Sequence, residues 1–275
     1  MEAMDWLDEE EEMVAVNAAL LVLQYKSREY WIHPINERRH EFGKYHVLWP
    51  EISNDDNRCK MYIRMTMKEF EVLYNLLETK LRKQNTNFRE AISPEERLLL
   101  SLRYLATGIS CKSLGFEFCT GFSTVGEIVK ECCEAIWRTL QPIYMPQPDQ
   151  KHWKQIARQV QENWRFPHCI GALDGKHVQI QCPNNAGSAY FNYKGTHSIV
   201  LLALVDANYK FTWIDVGNYG RNSDGGIFET SLLGQWFASN KIDVSTDKPL
   251  TPTGQVGDEA FPLKRYLMRP FSRNN

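Results

Sequence analysis

The stretch Ile170-Gly171-Ala172-Leu173-Asp174-Gly175-Lys176-His177-Val178-Gln179-Ile180 decides the fold of the second half of the chain. Its first part, Ile170 to Leu173, is a short apolar run that predicts a strand leading directly into Asp174-Gly175. Val178 to Ile180 predicts a further strand. Because Asp-Gly is also a frequent hairpin turn, a turn at 174–175 between two strands is the alternative interpretation. In both cases, strand formation begins here.

Downstream of this stretch, strand and turn signals continue in the order expected of a mixed sheet. Ser198 to Val205 and Phe211 to Val216 have strand patterns, with turns at 206–208 and 217–220. A helix follows Asp224, and a short final strand ends at Val256-Gly257-Asp258-Glu259. Several strands, then a helix, then a returning strand predict an α/β fold in which helices flank a mixed sheet.

Upstream of Ile170, the patterns are helical throughout. Apolar periodicity and capping residues predict helices at 13–31, 66–83, 93–108, 113–118, 123–140 and 151–164. Thr120-Gly121-Phe122 is a turn between two of them, so residues 110–140 have the outline of a helix-turn-helix. Any two packed helices give this outline, and simple helix packing is the alternative. Pro142 to Pro148 predicts a linker.

These patterns predict three regions. Residues 1–15 hold seven acids and no Lys or Arg, which is typical of a solvated, disordered acidic head. Residues 16–148 form the helical region, and residues 149–275 form the α/β domain. The net charge is −2, but outside the acidic head 32 basic residues stand against 34 minus seven, or 27, acidic ones. This surplus is compatible with contacts to phosphate groups.

Composition excludes several classes of protein. The apolar run Ile199 to Val205 is too short to span a bilayer. The run Met13 to Leu23 contains Asn17 and follows acidic residues, unlike a signal peptide, so neither secretion nor a membrane partner is expected. The seven cysteines include no Cys-x-x-Cys pair and no zinc spacing, which predicts reduced, mostly buried thiols.

Three acidic residues occupy similar local positions. Asp174 follows a strand, Asp224 follows a strand and its Gly-rich turn, and Asp258 follows Val256-Gly257. Converging carboxylates repel each other, so a fold tolerates them mainly when a cation lies between them. Oxygen ligands favour Mg²⁺ or Mn²⁺, and a pair of such ions can promote phosphodiester hydrolysis. We therefore predict a divalent-metal site at these acids.

Each of these acids also has a purely structural interpretation. Asp174 could belong to the hairpin turn described above. Asp224 could be the N-cap of the helix that it precedes. Asp258 and Glu259 could be the solvated start of a helix. Composition and spacing by themselves leave both interpretations open.

Four blocks of sequence, in this order, resemble the PIF/Harbinger family of DDE transposases and their host-derived relatives. They are Gly171-Ala172-Leu173-Asp174-Gly175-Lys176-His177-Val178, Tyr190 to Gly195 with the strand ending Val205-Asp206-Ala207, Gly220-Arg221-Asn222-Ser223-Asp224-Gly225-Gly226-Ile227-Phe228, and Gly257-Asp258-Glu259-Ala260-Phe261-Pro262-Leu263. Upstream stretches at 31–49, 86–91 and 102–108 are also similar to animal members. The resemblance thus covers nearly the whole chain after the acidic head.

The resemblance implies a ribonuclease-H-like DDE nuclease domain, preceded by a helical region with a helix-turn-helix-like element. It implies metal-dependent hydrolysis of DNA phosphodiesters with Mg²⁺ or Mn²⁺, at a site formed by the acids Asp174, Asp224, Asp258 and Glu259. Asp174 would bridge two ions, Asp224 would bind one, and Asp258 or Glu259 would complete the site. Lys176, His177, Lys194 and Arg221 lie beside these acids in the sequence, and we expect them to contact DNA phosphates. The alternative for His177 is that it simply faces solvent beside a strand. The family also implies a nuclear location, besides the cytoplasm, and a separate Myb-like DNA-binding partner.

The sequence departs from the family pattern at its end. Relatives carry a glutamate in a later helical block, and residues 1–275 contain no such block, so we expect a C-terminally incomplete nuclease domain. A host-adopted DNA-binding or partner-binding protein that keeps the fold without catalysis is therefore the alternative function. An unrelated phosphoesterase is a third interpretation, and it predicts turnover of small phosphate esters.

Overall fold

The computed structural model describes residues 30–87 and 90–239, together with the backbone of the strands at 254–257 and 267–268. Contacts divide the chain into two compact units, Met1–Trp137 and Arg138–Asn275. This division falls eleven residues before the border predicted at 148, which stays a prediction. The acidic head and the helix predicted at 13–31 lie outside the described residues, apart from the last two positions of that helix.

The first unit is helical, as its sequence predicts. Its described helices are α1 (Pro34–Glu37), α2 (Arg39–Phe42), α3 (Lys44–Val47), α4 (Trp49–Ile52), α5 (Asp56–Ile63), α6 (Met67–Leu81), α7 (Pro94–Thr107) and α8 (Cys111–Glu117), and most of α9 (Phe122–Tyr144), whose last seven residues are counted with the second unit. The start of α6 confirms the predicted capping box, because the Thr66 hydroxyl accepts a hydrogen bond from the Glu69 amide and the Glu69 carboxylate accepts one from the Thr66 amide. Ser93 caps α7 in the predicted position.

The predicted linker at 142–148 is wrong at its start, because α9 runs through Pro142 to Tyr144. Proline this close to a helix end removes one backbone hydrogen bond and leaves little helix to disrupt beyond it. The Met145 amide still donates to the Gln141 carbonyl (2.9 Å), and the Gln141 side chain donates to the Met145 carbonyl (2.8 Å). The two helices predicted within 110–140 are present as α8 and α9, while a role in DNA binding stays a prediction.

Glu96 is a buried ionisable residue of the first unit. The carboxyl of Glu96 is 1% exposed, with Arg39 Nε 3.9 Å from one oxygen and His46 Nε2 3.8 Å from the other. Burial raises the pKa of Glu96 to about 7, although Arg39 opposes this shift. Burial also lowers the pKa of His46. The proton occupancy of this cluster is therefore coupled to the folding of the first unit.

The second unit consists of a mixed sheet and its helices. After α10 (Gln150–Trp164), the elements are β1 (Cys169–Gln179), β2 (Ser198–Val205), β3 (Phe211–Tyr219), α11 (Asp224–Thr230), α12 (Leu232–Ala238), β4 (Gly254–Gly257) and β5 (Leu267–Met268). The strand order is β3-β2-β1-β4-β5. Strands β1, β2 and β3 are antiparallel neighbours, whereas β4 is parallel to both β1 and β5. The predicted mixed sheet flanked by helices is confirmed at this level.

One sheet face carries the core of the second unit. Leu173 of β1 and alternate residues of β2, namely Val200, Leu202 and Leu204, are buried there against helices α10 to α12. The period of two follows from the pleat of the strands. The single helix predicted after Asp224 is divided at Ser231, whose hydroxyl donates to the Phe228 carbonyl (2.7 Å) and accepts from the Gly234 amide (3.0 Å).

Two expectations from composition can be compared with these units. All seven cysteines are free thiols, and four of them are buried, as predicted. Within residues 30–87 and 90–239, we find no helix that has both the length and the apolar character needed to span a membrane.

Candidate active site

Asp174 lies in the middle of a strand. The prediction that it follows a strand end is wrong, and so is the alternative of a hairpin turn at 174–175, because β1 continues unbroken from Cys169 to Gln179. Pairing with β2 explains this continuity, since Asp174 pairs with Ala203 and Gly175 with Leu202. On the other side of β1, the described part of the parallel register with β4 includes the pair Leu173 and Gly257. Asp174 follows Leu173 directly in β1.

Asp224 is the first residue of α11, and it is not the N-cap of that helix. Ser223 is the cap, with its hydroxyl accepting a hydrogen bond from the Gly226 amide at 3.2 Å. The alternative interpretation of Asp224 as a capping residue is therefore wrong. An acid in the first turn is nevertheless favourable, because the helix amides there are partly positive.

Gly175 contacts both acids. The carboxyl of Asp224 lies where a side chain at Gly175 would be, so that an added Cβ would overlap it and stand only 2.6 Å from Oδ2. Asp174 Oδ1 accepts a hydrogen bond from the Gly175 amide at 2.8 Å. Both carboxylates therefore contact the same glycine, one at its amide and one at its Cα. Only a residue without a side chain leaves space for this arrangement.

The third predicted acid falls outside the described residues. Asp258 and Glu259 follow Gly257, which is the last residue of β4. Among the residues that the structure does describe, no three His, Cys, Asp or Glu side chains are grouped so that they could hold a metal ion. A site with three acids consequently stays a prediction.

The pleat of β1 separates the predicted DNA contacts. His177 is on the sheet face of Leu173 and Gly175, which is the face that Asp224 approaches. Lys176 points to the opposite face, together with Asp174 and Val178. The Asp174 carboxyl also contacts Gly175, through a hydrogen bond that the glycine amide donates. Lys176 is therefore not on the same side of the strand as His177.

His177 is held in place by buried polar groups. Its Nδ1 lies 2.9 Å from the hydroxyl of Ser198, which is fully buried at the start of β2. The same hydroxyl accepts a hydrogen bond from the Asn192 side-chain amide at 2.8 Å. Sequence patterns did not identify Asn192 and Ser198 as part of the site, because their contact depends on the pairing of β1 with β2.

Lys194 and Arg221 are the other two predicted DNA contacts. They lie on segments that are attached to the face of β1 with Gly175 and His177. Lys194 is in the loop before β2, and its Nζ is 5.3 Å from the centre of the Tyr193 ring. The Arg221 amide donates to the Ala189 carbonyl at 3.3 Å, which links the segment before α11 to the same loop. By contrast, a cavity of about 390 Å³ in this unit is lined by Val160, Trp164, Ala172, Val205, Tyr209 and neighbouring residues, and by neither acid.

Comparison with known proteins bears on this arrangement of acids. Residues 173–275 match the family of DDE superfamily endonucleases. The match begins one residue before Asp174 and contains all four acids predicted for the site. The resemblance to Harbinger transposase-derived nucleases is confirmed by curated relatives that align with most of the chain.

Three of these relatives show the extent of the similarity. "Protein ALP1-like" of Arabidopsis thaliana is 22% identical over 80% of this chain and 56% of its own length. "Putative nuclease HARBI1" is 25% identical in Xenopus laevis, over 73% of this chain and 55% of that protein. The protein of the same name in Homo sapiens is 26% identical over 83% of this chain and 64% of its own length. The chain thus spans 55 to 64% of the length of these relatives. No solved structure matches it.

Proposed function

We propose that this chain is a metal-dependent DNA endonuclease of the DDE superfamily, derived from a Harbinger-type transposase and built on a ribonuclease-H-like sheet. The contact of the Asp174 and Asp224 carboxylates with Gly175 carries this proposal. The match of residues 173–275 to DDE superfamily endonucleases supports it, as does the name of the HARBI1 relatives.

The residues around Gly175 fit a hard divalent cation. Asp174 and Asp224 offer only oxygen atoms, which Mg²⁺ and Mn²⁺ prefer. Two carboxylates beside one glycine also repel each other, and a cation between them would offset that repulsion. When bound, such ions lower the pKa of water and stabilise the leaving oxygen of a phosphodiester. Asp174 would contact two ions and Asp224 one.

We assign Asp258 as the third metal ligand and Glu259 as the residue that orients the attacking water. The register of β1 with β4 supports this choice, because Leu173 pairs with Gly257, and Asp174 and Asp258 are the residues that follow this pair in the sequence. Loss of cleavage in Asp258→Asn, with cleavage weakened but metal binding kept in Glu259→Gln, is the expected pattern.

The chain's own cations would hold the DNA. His177, Lys194 and Arg221 lie on segments joined to the Asp224 side of β1 and would contact phosphate oxygens. Lys176, on the other sheet face, would meet a different part of the backbone. The proposed setting is the nucleus, besides the cytoplasm, with a Myb-like DNA-binding partner, and family resemblance supports both. Nuclear entry of the tagged protein with and without that partner tests this setting.

The first experiment is calorimetric titration of Mn²⁺ into the parent protein and into Asp174→Ala and Asp224→Ala, with and without a short duplex. Glu162→Gln is the matched control, because it removes an exposed carboxylate of the same unit that pairs with Arg158. We expect the parent and the control to bind and both Asp variants to lose binding. Retained binding in both Asp variants contradicts the site.

Plasmid nicking then separates the alternative functions. Asp174→Asn and Asp224→Asn should abolish metal-dependent cleavage and leave the circular dichroism spectrum unchanged. DNA binding without cleavage by the parent would instead identify a catalytically inactive, host-adopted protein that retains the fold. Turnover of a small phosphate monoester would identify an unrelated phosphoesterase.

A further inference from the structure

The loop at 190–197 has a shape that is fixed from the inside by Asn192. This side chain is 4% exposed. Its Oδ1 accepts hydrogen bonds from the Lys194 amide (3.0 Å) and the Thr196 amide (3.2 Å), and its Nδ2 donates to Ser198 Oγ (2.8 Å) and Thr196 Oγ1 (3.1 Å). The Asn192 amide also donates to the Thr196 carbonyl. Such a satisfied buried network rigidifies the segment around it.

This rigid loop presents an aromatic ring to solvent. Tyr193 is 81% exposed, although it follows the most buried residue of the loop. The edge of its ring contacts His177 with 5.5 Å between ring centroids, and the Lys194 ammonium lies 5.3 Å from its centre. The loop therefore holds the flat face of an aromatic ring in solvent, beside a cation, at a fixed position.

The loop is attached to the segments that carry both acids. On one side, Tyr193 contacts His177, which is two residues from Gly175 on the same sheet face and hence about 7 Å away along the strand. On the other side, Gly220 packs so closely against Ser198 and the Tyr190 carbonyl that a Cβ would overlap them. Gly220 is four residues before Asp224. The position of Tyr193 relative to the candidate site is therefore fixed by structure.

We propose that Tyr193 stacks on an unpaired base of the DNA and that Lys194 contacts a phosphate beside that base. An exposed aromatic ring next to a cation is the combination that binds single-stranded DNA, because every base has a face that can stack. Because Tyr193 contacts His177, which is two residues from Gly175, its ring lies on the order of 10 Å from Gly175, a length of a few base steps of duplex DNA. The substrate class is thus DNA with an unpaired base a few nucleotides from the cleaved bond. This inference rests on the proposed function.

The experiment measures binding in EDTA, so that cleavage does not contribute. A fluorescein-labelled duplex with one unpaired 2-aminopurine, whose fluorescence falls when it stacks, is compared with the fully paired duplex of the same sequence. The proteins are the parent, Tyr193→Ala, Tyr193→Trp and Tyr209→Ala. Tyr209 is the matched control, because it is 74% exposed in the same unit but lies in the turn at the other end of β2.

We expect the parent to bind the duplex with the unpaired base more tightly and to quench its 2-aminopurine. Tyr193→Ala should weaken that binding about 5- to 150-fold and lose the quenching, while its affinity for paired DNA changes little. Tyr193→Trp should restore both signals, and Tyr209→Ala should behave like the parent. Restoration by Trp excludes a purely structural effect of the Ala variant.

Three results would overturn the inference. They are equal affinity of the parent for the two duplexes, quenching that persists in Tyr193→Ala, and tighter binding of the same sequence as single-stranded RNA. The proposed function can fail separately, since quenching that depends on Tyr193 in a protein that never nicks DNA would support base stacking without nuclease activity. Nicking of the duplex with the unpaired base by Tyr193→Ala at the parent's rate would contradict base stacking and leave the nuclease intact.

Discussion

Gly175 is the residue at which the candidate site is most sensitive to a small change. Its Cα is in contact with the Asp224 carboxyl, and its amide is hydrogen-bonded to Asp174. A methyl group at this position must displace one of the two acids or bend the central strand. We therefore expect the substitution to distort the geometry of the site more than the packing of the hydrophobic core.

We expect Gly175→Ala to lose Mn²⁺ binding and DNA nicking, while the far-ultraviolet circular dichroism spectrum stays that of the parent. Gly126→Ala is the matched control, because an added Cβ there meets nothing within 4 Å in the helix Phe122–Tyr144. It should keep both activities and gain up to about 1 kcal/mol of stability. Calorimetry and plasmid nicking provide the measurements. Parent-like binding by Gly175→Ala would show that the two carboxylates do not act together.

Glu96 is a second sensitive residue, and its effect concerns stability. Its pKa is raised to about 7 in the folded protein, against 4.5 as the ordinary value. Between these two pKa values, the folded state holds a proton that the unfolded state releases. The contribution of Glu96 to the free energy of unfolding is therefore fully present below pH 4.5 and is lost as the pH rises through about 7. Burial is the main cause of the raised pKa, while Arg39 opposes the shift and Glu90 adds to it.

We expect the free energy of unfolding of the parent, relative to Glu96→Gln, to fall by up to about 3 kcal/mol between pH 4.5 and pH 8. His46 titrates in both proteins, and its lowered pKa acts with the opposite sign. The comparison with Gln therefore isolates the carboxyl. Urea unfolding at a series of pH values provides the measurement. If the difference in the free energy of unfolding between the parent and Glu96→Gln does not change with pH, the pKa of Glu96 is not raised by folding.

At the scale of elements, the start of α11 matters most. This helix has only seven residues, and the Ser223 hydroxyl is its capping group. Because Asp224 is the next residue, the cap holds the carboxyl against β1 as well as starting the helix. Asparagine accepts the same hydrogen bond, whereas alanine cannot.

Ser223→Ala should therefore destabilise the protein by about 1 kcal/mol and weaken Mn²⁺ binding, and Ser223→Asn should restore both. Thr66→Ala is the control, since it removes the cap of α6 in the first unit and should reduce stability by a similar amount without changing metal affinity. Thermal unfolding and calorimetry distinguish the two effects. Equal metal affinity in all three variants would show that the Ser223 cap does not position the Asp224 carboxyl for metal binding.

At the scale of the whole molecule, the two compact units should respond differently to metal. All four acids of the proposed site are in the second unit, whereas the buried Glu96 cluster belongs to the first. A ligand stabilises the structure that it binds, by about 2.7 kcal/mol at one hundred times its Kd. Metal binding should consequently protect β1 and α11 and leave the helices of the first unit unaffected.

Hydrogen exchange with and without Mn²⁺ measures this protection in the full chain. We expect slower exchange of amides in β1 and around Asp224, and no change in Met67–Leu81 or Pro94–Thr107. Asp174→Ala should remove the protection. Equal slowing in both units, or slowing that persists in Asp174→Ala, would indicate that Mn²⁺ acts somewhere other than at the proposed site.

The sequence by itself determined the local features of this protein. Capping residues and apolar periodicity predicted the helices at Met67–Leu81 and Pro94–Thr107, and the acids and their flanking glycines indicated the family. These features depend on residues within a few positions of each other. For the same reason, the break at Ser231 and the helical turn beyond Pro142 were missed, because single hydrogen bonds and not periodicity decide them.

Only the tertiary structure decided how the candidate site is assembled. Pairing with β2 keeps β1 continuous through Asp174 and puts Lys176 and His177 on opposite faces. Contact across 49 positions of sequence brings Asp224 to Gly175, and contact across 21 brings His177 to Ser198. Strand register and such long-range contacts are fixed by the burial of one sheet face, and that burial is a property of the assembled sheet.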